Sequence, residues 1–180
     1  MYSMYSMYST MINTDKMTRG MKNNNPLNIR RTADRWQGIA ATQTDAEFVQ
    51  FESMDYGYRA AWKLLDTYYH RLTSAGKRFT VENIIGRWAP PNENDTAAYV
   101  RTVLLLSGIG GQENLLPPEN VEGYGRLARL LSAMTCVECG IRMNKVDTVA
   151  VFKGYILAFP QNREELEEWI RAEDEYANWF

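Results

Sequence analysis

Glu138 is the one acid in residues 127–141, a stretch that is otherwise the most apolar predicted helix of the chain. It stands in Ala133-Met134-Thr135-Cys136-Val137-Glu138-Cys139-Gly140, at the end of that helix and just before the glycine suited to close it. A carboxyl surrounded by apolar groups is harder to ionise and keeps its proton nearer neutral pH. Such an acid can hand that proton to the leaving oxygen of a glycosidic bond. The competing assignment is a plain helix-terminal acid, exposed or paired with Arg142 four residues on.

The same helix end carries a C-x-x-C pair, Cys136 and Cys139. The two thiols are too close for a framework disulfide and too few for a zinc site. No βαβ pattern surrounds them, so buried free thiols are expected, with no metal and no cofactor. A cysteine nucleophile working with the lone His70 would need an exposed, base-activated sulfur, which burial opposes.

The elements that must position these groups follow from periodicity. Asn23-Asn24-Asn25-Pro26 reads as a turn. Leu27-Asn28-Ile29 returns to apolar alternation, and Arg30 and Arg31 follow. Trp36-Gln37-Gly38-Ile39 and Phe48-Val49-Gln50-Phe51 alternate about the polar run 42–47, the pattern of a β-hairpin. Amides, aromatics and carboxylates on such a hairpin would suit the wall of a groove for a polar polymer such as a sugar. Trp36 is the first candidate to stack on a ring; Tyr58 and Trp88 are aromatics of the kind that more often fill a core.

Helical spacing covers residues 57–74, with Asp55 or Ser53 to cap it and Gly76 to end it. Residues 80–88 form a shorter helix stopped by Ala89-Pro90-Pro91. Asn94, Asp95 and Thr96 open a third, whose apolar face includes Tyr99, Val100 and Val103; these three polar residues read either as caps or as substrate-side groups. Helices at 121–139 and 147–159 follow, then an acidic amphipathic helix from residue 163. The sum is about six helices and one small β-hairpin: an α+β fold that is mostly α.

With 180 residues, 45% of them hydrophobic, the chain is long enough for one domain with a real core. No apolar run is long enough for a membrane span. A formal charge of −2 offers no net attraction to nucleic acid, and none is expected as a partner. Lys16, Arg19, Lys22, Arg30, Arg31 and Arg35 make the front basic, either as a solvated surface or as a face for an anionic wall polymer. Residues 1–9 repeat Met-Tyr-Ser three times and have no signal-peptide layout. The expected organisation is a low-complexity tail over 1–18, a domain over 19–159, and the acidic helix over 160–180 packed on it.

Several motifs together resemble a known family. Asn23-Asn24-Asn25-Pro26-Leu27-Asn28-Ile29-Arg30, Trp36-x-Gly38, Phe48-x-x-Phe51, Gly57-Tyr58-Arg59-Ala60, Arg87-Trp88-Ala89-Pro90-Pro91 and Glu93-Asn94-Asp95-Thr96-x-x-Tyr99-Val100 are similar to phage-type lysozyme-like domains of virion structural or peptidoglycan-degrading proteins. More distantly they resemble bacterial glucosaminidases of the lysozyme superfamily. The resemblance spans roughly 19–159 and implies a lysozyme-like fold that cuts the β-1,4 glycan of peptidoglycan, as a muramidase or a lytic transglycosylase. It makes Glu138 the acid, since Val137-Glu138-Cys139-Gly140 is a variant of the family's helix-end glutamate. It places a second carboxylate on the hairpin, where Asp45 comes first and Glu47 and Glu52 lie nearby. It assigns the substrate to Asn24, Asn25, Asn28, Arg30, Trp36, Glu47, Asn94, Asp95 and Tyr99.

Carboxyls about 5–5.5 Å apart would favour retention and about 6.5–9.5 Å inversion. With no second carboxylate in reach, one glutamate would act as acid and then base while the sugar's own hydroxyl attacks. The sequence also departs from the pattern. Glucosaminidases of the superfamily carry their acid before the Asn-Asn element, whereas here only Asp15 precedes Asn23. Either the acid helix has moved to the C-terminal side or catalysis has been lost. The rival is therefore a non-catalytic virion or cell-wall-binding protein on the same fold. Either way the expected partners are peptidoglycan and virion or export-machinery components. The protein would be made in the cytoplasm and reach the wall after lysis, in a virion, or by dedicated export.

Overall fold

The computed structural model describes residues 17–92 and 94–177. Nearly all of the expected tail, along with Glu93, therefore lies outside the described residues. Among those described there are seven α-helices: α1 (Arg19–Lys22), α2 (Met54–Ser74), α3 (Val81–Trp88), α4 (Thr96–Ser107), α5 (Tyr124–Cys139), α6 (Thr148–Ala158) and α7 (Arg163–Ala177). The fold is mainly helical. None of these helices is long and apolar enough to cross a membrane.

Local chemistry sets the helix ends. The Thr80 hydroxyl accepts from the Asn83 N–H, and Asp95 and Asp147 accept from Ala98 and Ala150, each satisfying a free donor of a first turn. Capping is thus what the Asp95 side chain does. At the start of α2, Ser53 occupies the cap position without a side-chain cap bond. The helix expected from residue 121 begins as a 3-10 turn, Val121–Gly123, which leads into α5.

The pairing between residues 29 and 51 differs from the expected hairpin. It consists of two isolated antiparallel bridges, Arg30 with Phe48 and Ile39 with Phe51. Side chains take the place of a longer ladder. Gln43 donates to the Ala40 and Gln50 carbonyls and accepts from the Gln50 N–H, while Gln50 accepts from the Thr44 and Asp45 N–H groups. Asp45 accepts from the Glu47 and Phe48 N–H groups. Amide and carboxylate side chains compete in this way with strand pairing for backbone groups.

The core is built around Trp62 of α2, which is fully buried. Its ring stacks on Tyr124 of α5 at 5.7 Å and meets Tyr155 of α6 edge-on at 4.9 Å. Its Nε1 donates to the Val151 carbonyl at 3.1 Å, so the indole is buried without an orphaned donor. Leu127, Leu130, Leu131 and Met134 of α5 are also fully buried. On α7, Leu166 is buried and Trp169 meets the Tyr124 ring at 6.4 Å.

Helices α2 and α6 touch backbone to backbone at Gly154, where an added Cβ would fall 2.6 Å from the Tyr58 Cβ and 2.9 Å from the Arg59 nitrogen. Gly154→Ala is therefore expected to destabilise the fold by about 1–3 kcal/mol through overpacking. Gly86→Ala, inside α3 with no atom within 4 Å of the new methyl, is expected to stabilise by about 0.5–1 kcal/mol. Thermal denaturation checks both, at about 2–4 °C per kcal/mol for a chain of this size.

Candidate functional site

Glu138 lies in the last turn of α5, half-buried, and three side chains from distant parts of the chain donate to its carboxylate. Oε1 accepts from Trp88 Nε1 at 3.1 Å and from the Tyr99 hydroxyl at 2.9 Å. Oε2 accepts from Asn28 Nδ2 at 3.1 Å, and that same amide lies 3.1 Å from the Glu138 carbonyl oxygen. A carboxylate has about four lone-pair sites, so one remains open, on Oε2. The Tyr99 hydroxyl is pushed far above the ordinary phenol range, first by burial and then by the Glu138 charge and hydrogen bond. It is therefore protonated, and a donor, at neutral pH.

Each donor is positioned by its own element. Tyr99 projects from the first turns of α4, behind the Asp95 cap. Trp88 is the last residue of α3, and the Thr96 hydroxyl donates to the Ala89 carbonyl just after it, tying the end of α3 to the start of α4. Asn28 sits at φ 48°, a left-handed conformation that asparagine tolerates better than most residues. Fully buried Asn25 holds that turn, donating to the Ile29 and Val49 carbonyls and accepting from the Ile29 N–H.

Two adjoining hollows run away from this carboxylate. The smaller, about 210 Å³, is lined by Asn28, Arg30, Trp36, Tyr68 and Trp88 among others. The larger, about 750 Å³, shares Asp34, Trp36, Leu64 and Tyr68 with it and continues to Arg35, Arg71 and Arg87. Leu64, Thr67, Tyr68 and Arg71 are spaced as one face of α2, which forms a wall of the larger hollow. Glu138 is not itself a lining residue; Asn28 and Trp88, two of its donors, are.

The residues singled out in the sequence divide sharply. Asn28, Trp88 and Tyr99 converge on Glu138, and Arg30 and Trp36 line the cleft. Asn24 donates to the Phe51 and Glu52 carbonyls, and Asn25 is spent on backbone, so both act as struts rather than as groups facing a ligand. Asn94 donates to the Pro90 carbonyl. Tyr58, at 1% exposure, is core and shares a hydrogen bond with Thr135.

Asp45 has a different task from the expected second carboxylate. Arg19 grips it with a two-pronged pair, Nε to Oδ2 at 2.7 Å and Nη2 to Oδ1 at 2.6 Å, and Asn23 adds a bond to Oδ2. With two backbone N–H groups on Oδ1 as well, its acceptor capacity is filled, and it lines neither hollow. Glu47 also pairs with Arg19, at 2.7 Å. The Arg19 bond, above all, holds the Asp45 carboxyl far below the ordinary carboxylate range. The carboxylate that does line both hollows is Asp34, which sequence reasoning passed over along with Arg71 and Tyr68. The signal for the last two was present, since they lie three apart on the face of a predicted helix.

The thiols are free and buried, and burial pushes both Cys136 and Cys139 up to about 11. Cys139 Sγ donates to the Pro26 carbonyl, while the side chain of His70 is 61% exposed beside Asp66. Neither sulfur has a histidine partner, and a thiol held up by burial is a poor nucleophile. Among the described residues, no group of three or more His, Cys, Asp or Glu could hold a metal ion.

The chain is 34% identical over 157 residues to Protein P5 of Pseudoalteromonas phage PM2, an alignment covering 86% of this chain and 89% of the relative. The chain belongs to the family of Protein P5. No family model matches it.

Two measurements test this geometry. Glu138→Ala orphans the Trp88 and Tyr99 donors together and is expected to cost about 2–4 kcal/mol in denaturant unfolding. Glu138→Gln keeps an oxygen for both and is expected to cost about 1 kcal/mol or less. For Asp45, whose folded-state pKa is lowered, the stabilisation is complete above the ordinary carboxylate value and drains away as pH falls below it. The thermal midpoint of the wild type is therefore expected to fall from about pH 4 downward, and that of Asp45→Asn to fall less steeply.

Proposed function

We propose that the protein binds and cleaves the glycan strand of peptidoglycan, with Glu138 as the acid, on a lysozyme-like arrangement of helices. The observation that carries this reading is a lone glutamate at the end of an apolar helix, fixed by Asn28, Trp88 and Tyr99, with two of those donors forming the head of an aromatic-lined cleft. The donors fix the rotamer of the carboxyl and leave one lone-pair direction of Oε2 open for a proton in transit. Trp36 and Tyr68 offer apolar faces to sugar rings.

With Asp45 held by Arg19, the favoured chemistry is that of a lytic transglycosylase. Glu138 gives its proton to the leaving glycosidic oxygen as the bond to the anomeric carbon breaks. The C6 hydroxyl of the same sugar then attacks that carbon and returns a proton to Glu138, closing an anhydro ring. The Protein P5 family membership supports a phage or prophage source. It adds nothing about the bond cut.

A second reading rests on a specific observation: three of the carboxylate's lone-pair sites are filled by the protein, and Glu138 lies one residue behind the cleft wall. That is also how a structural junction is built. The protein would then be a wall-binding virion component with no hydrolytic step.

Purified cell walls separate the two. The enzyme reading expects soluble muropeptides with anhydro ends from the wild type and at least about a hundredfold less from Glu138→Gln, the scale of a lost general acid. Muropeptides with reducing ends would bring Asp34 and water into the mechanism. Sedimentation of the protein with walls and no released sugar would leave the virion-component reading.

A further inference from the structure

The larger hollow carries more positive charge than a neutral sugar requires. Arg35, Arg71 and Arg87 line it from three different elements: the loop after Arg30, α2 and α3. None of the three makes an ion pair among the described residues, where Arg19, Lys63, His70 and Arg126 supply the cations of the pairs observed. The Arg87 guanidinium carbon lies 5.2 Å from the centroid of the Tyr68 ring. Burial pushes the Tyr68 hydroxyl up while the Arg87 and Arg71 charges pull it back.

We propose that this arginine-lined arm of the cleft recognises the carboxylates of the peptide stems carried by the glycan strand, so that the ligand is an acidic, stem-bearing glycan rather than a neutral one. The proposal deepens the reading of the Glu138 cleft and rests on the two hollows being one binding surface. A guanidinium presents a planar fork that fits a carboxylate with two parallel hydrogen bonds. Asp34 stands in the same wall. Three cations and one anion complement a branch that carries several carboxylates and an occasional amine. A phosphate at every unit, as in a nucleic acid strand, would meet repulsion from Asp34, and the overall charge of −2 gives no long-range attraction to it.

The full chain is titrated calorimetrically with three probes: a disaccharide-tetrapeptide fragment of peptidoglycan, the same fragment with its stem carboxylates amidated, and a single-stranded oligonucleotide. The wild type is expected to prefer the carboxylated fragment, with the preference shrinking as salt is raised. Arg35→Gln, Arg71→Gln and Arg87→Gln are each expected to lower that affinity about two- to fivefold, the range of exposed ion pairs, and the triple variant roughly tenfold or more. Affinity for the amidated fragment stays unchanged in all of them, and Arg101→Gln, on the exposed surface of α4, changes neither.

Equal affinity for the two fragments overturns the proposal, as does tighter binding of the oligonucleotide. Glu138→Gln is expected to keep the full carboxylate preference. Loss of wall cleavage with that preference intact supports the arm. A wild type that prefers the carboxylated fragment but releases no muropeptides also supports the arm and removes the enzymatic reading alone.

Discussion

The fold converges on one carboxylate. Glu138 is joined to Asn28, Trp88 and Tyr99, residues 110, 50 and 39 positions away in sequence, so a single side chain ties the asparagine turn, the end of α3 and the start of α4 to the end of α5. A half-buried carboxylate without such partners would be costly to hold beside an apolar helix, and without it the Trp88 and Tyr99 donors would be orphans. The arrangement is cooperative in that sense: each segment is placed correctly only if the others are. It also explains why an irregular loop can serve as one wall of a cleft, since the loop is held at Asn28 by the helix it faces.

A second anchor works in parallel at the other end of the loop. Arg19, from the single turn of α1, grips Asp45 and Glu47, and its guanidinium carbon lies 4.5 Å from the Phe48 ring centroid. Together with Asn25 and Gln43, this holds a stretch in which only two isolated bridges form. The loop is thus organised by side-chain amides and charges where a regular ladder would otherwise do the work. Carboxylates in such a loop are committed to scaffolding, and Asp34, outside that network, is left to face the cleft.

Much of the helical framework was legible because it is local. The apolar spacing of α2, Asp95 at the start of α4 and Gly140 at the end of α5 all announce themselves within a few residues. Glu138 was legible for a similar reason, as a lone acid in an apolar run. Its donors were harder to read. Tyr99 and Asn28 could be suspected as functional, but nothing local says that they meet at the same carboxylate, because that depends on the packing of α4 and α5 and on a left-handed turn. Asp45 misled for the converse reason: its partner Arg19 lies 26 residues away, and no spacing rule links them. The arginines of the larger hollow come from three segments and cluster only once α2 and α3 are placed.

The left-handed backbone at Asn28 separates two properties that usually travel together. A glycine there would follow the same path through the turn while supplying no amide, leaving Oε2 with both of its lone pairs unclaimed. An aspartate would tolerate the angle but set a second negative charge against the first. A valine or isoleucine could not adopt the turn without strain. Chain geometry and electrostatics at this one position therefore admit very few side chains, and which of them a related protein carries would show whether its loop is kept for its shape or for its grip on the acid.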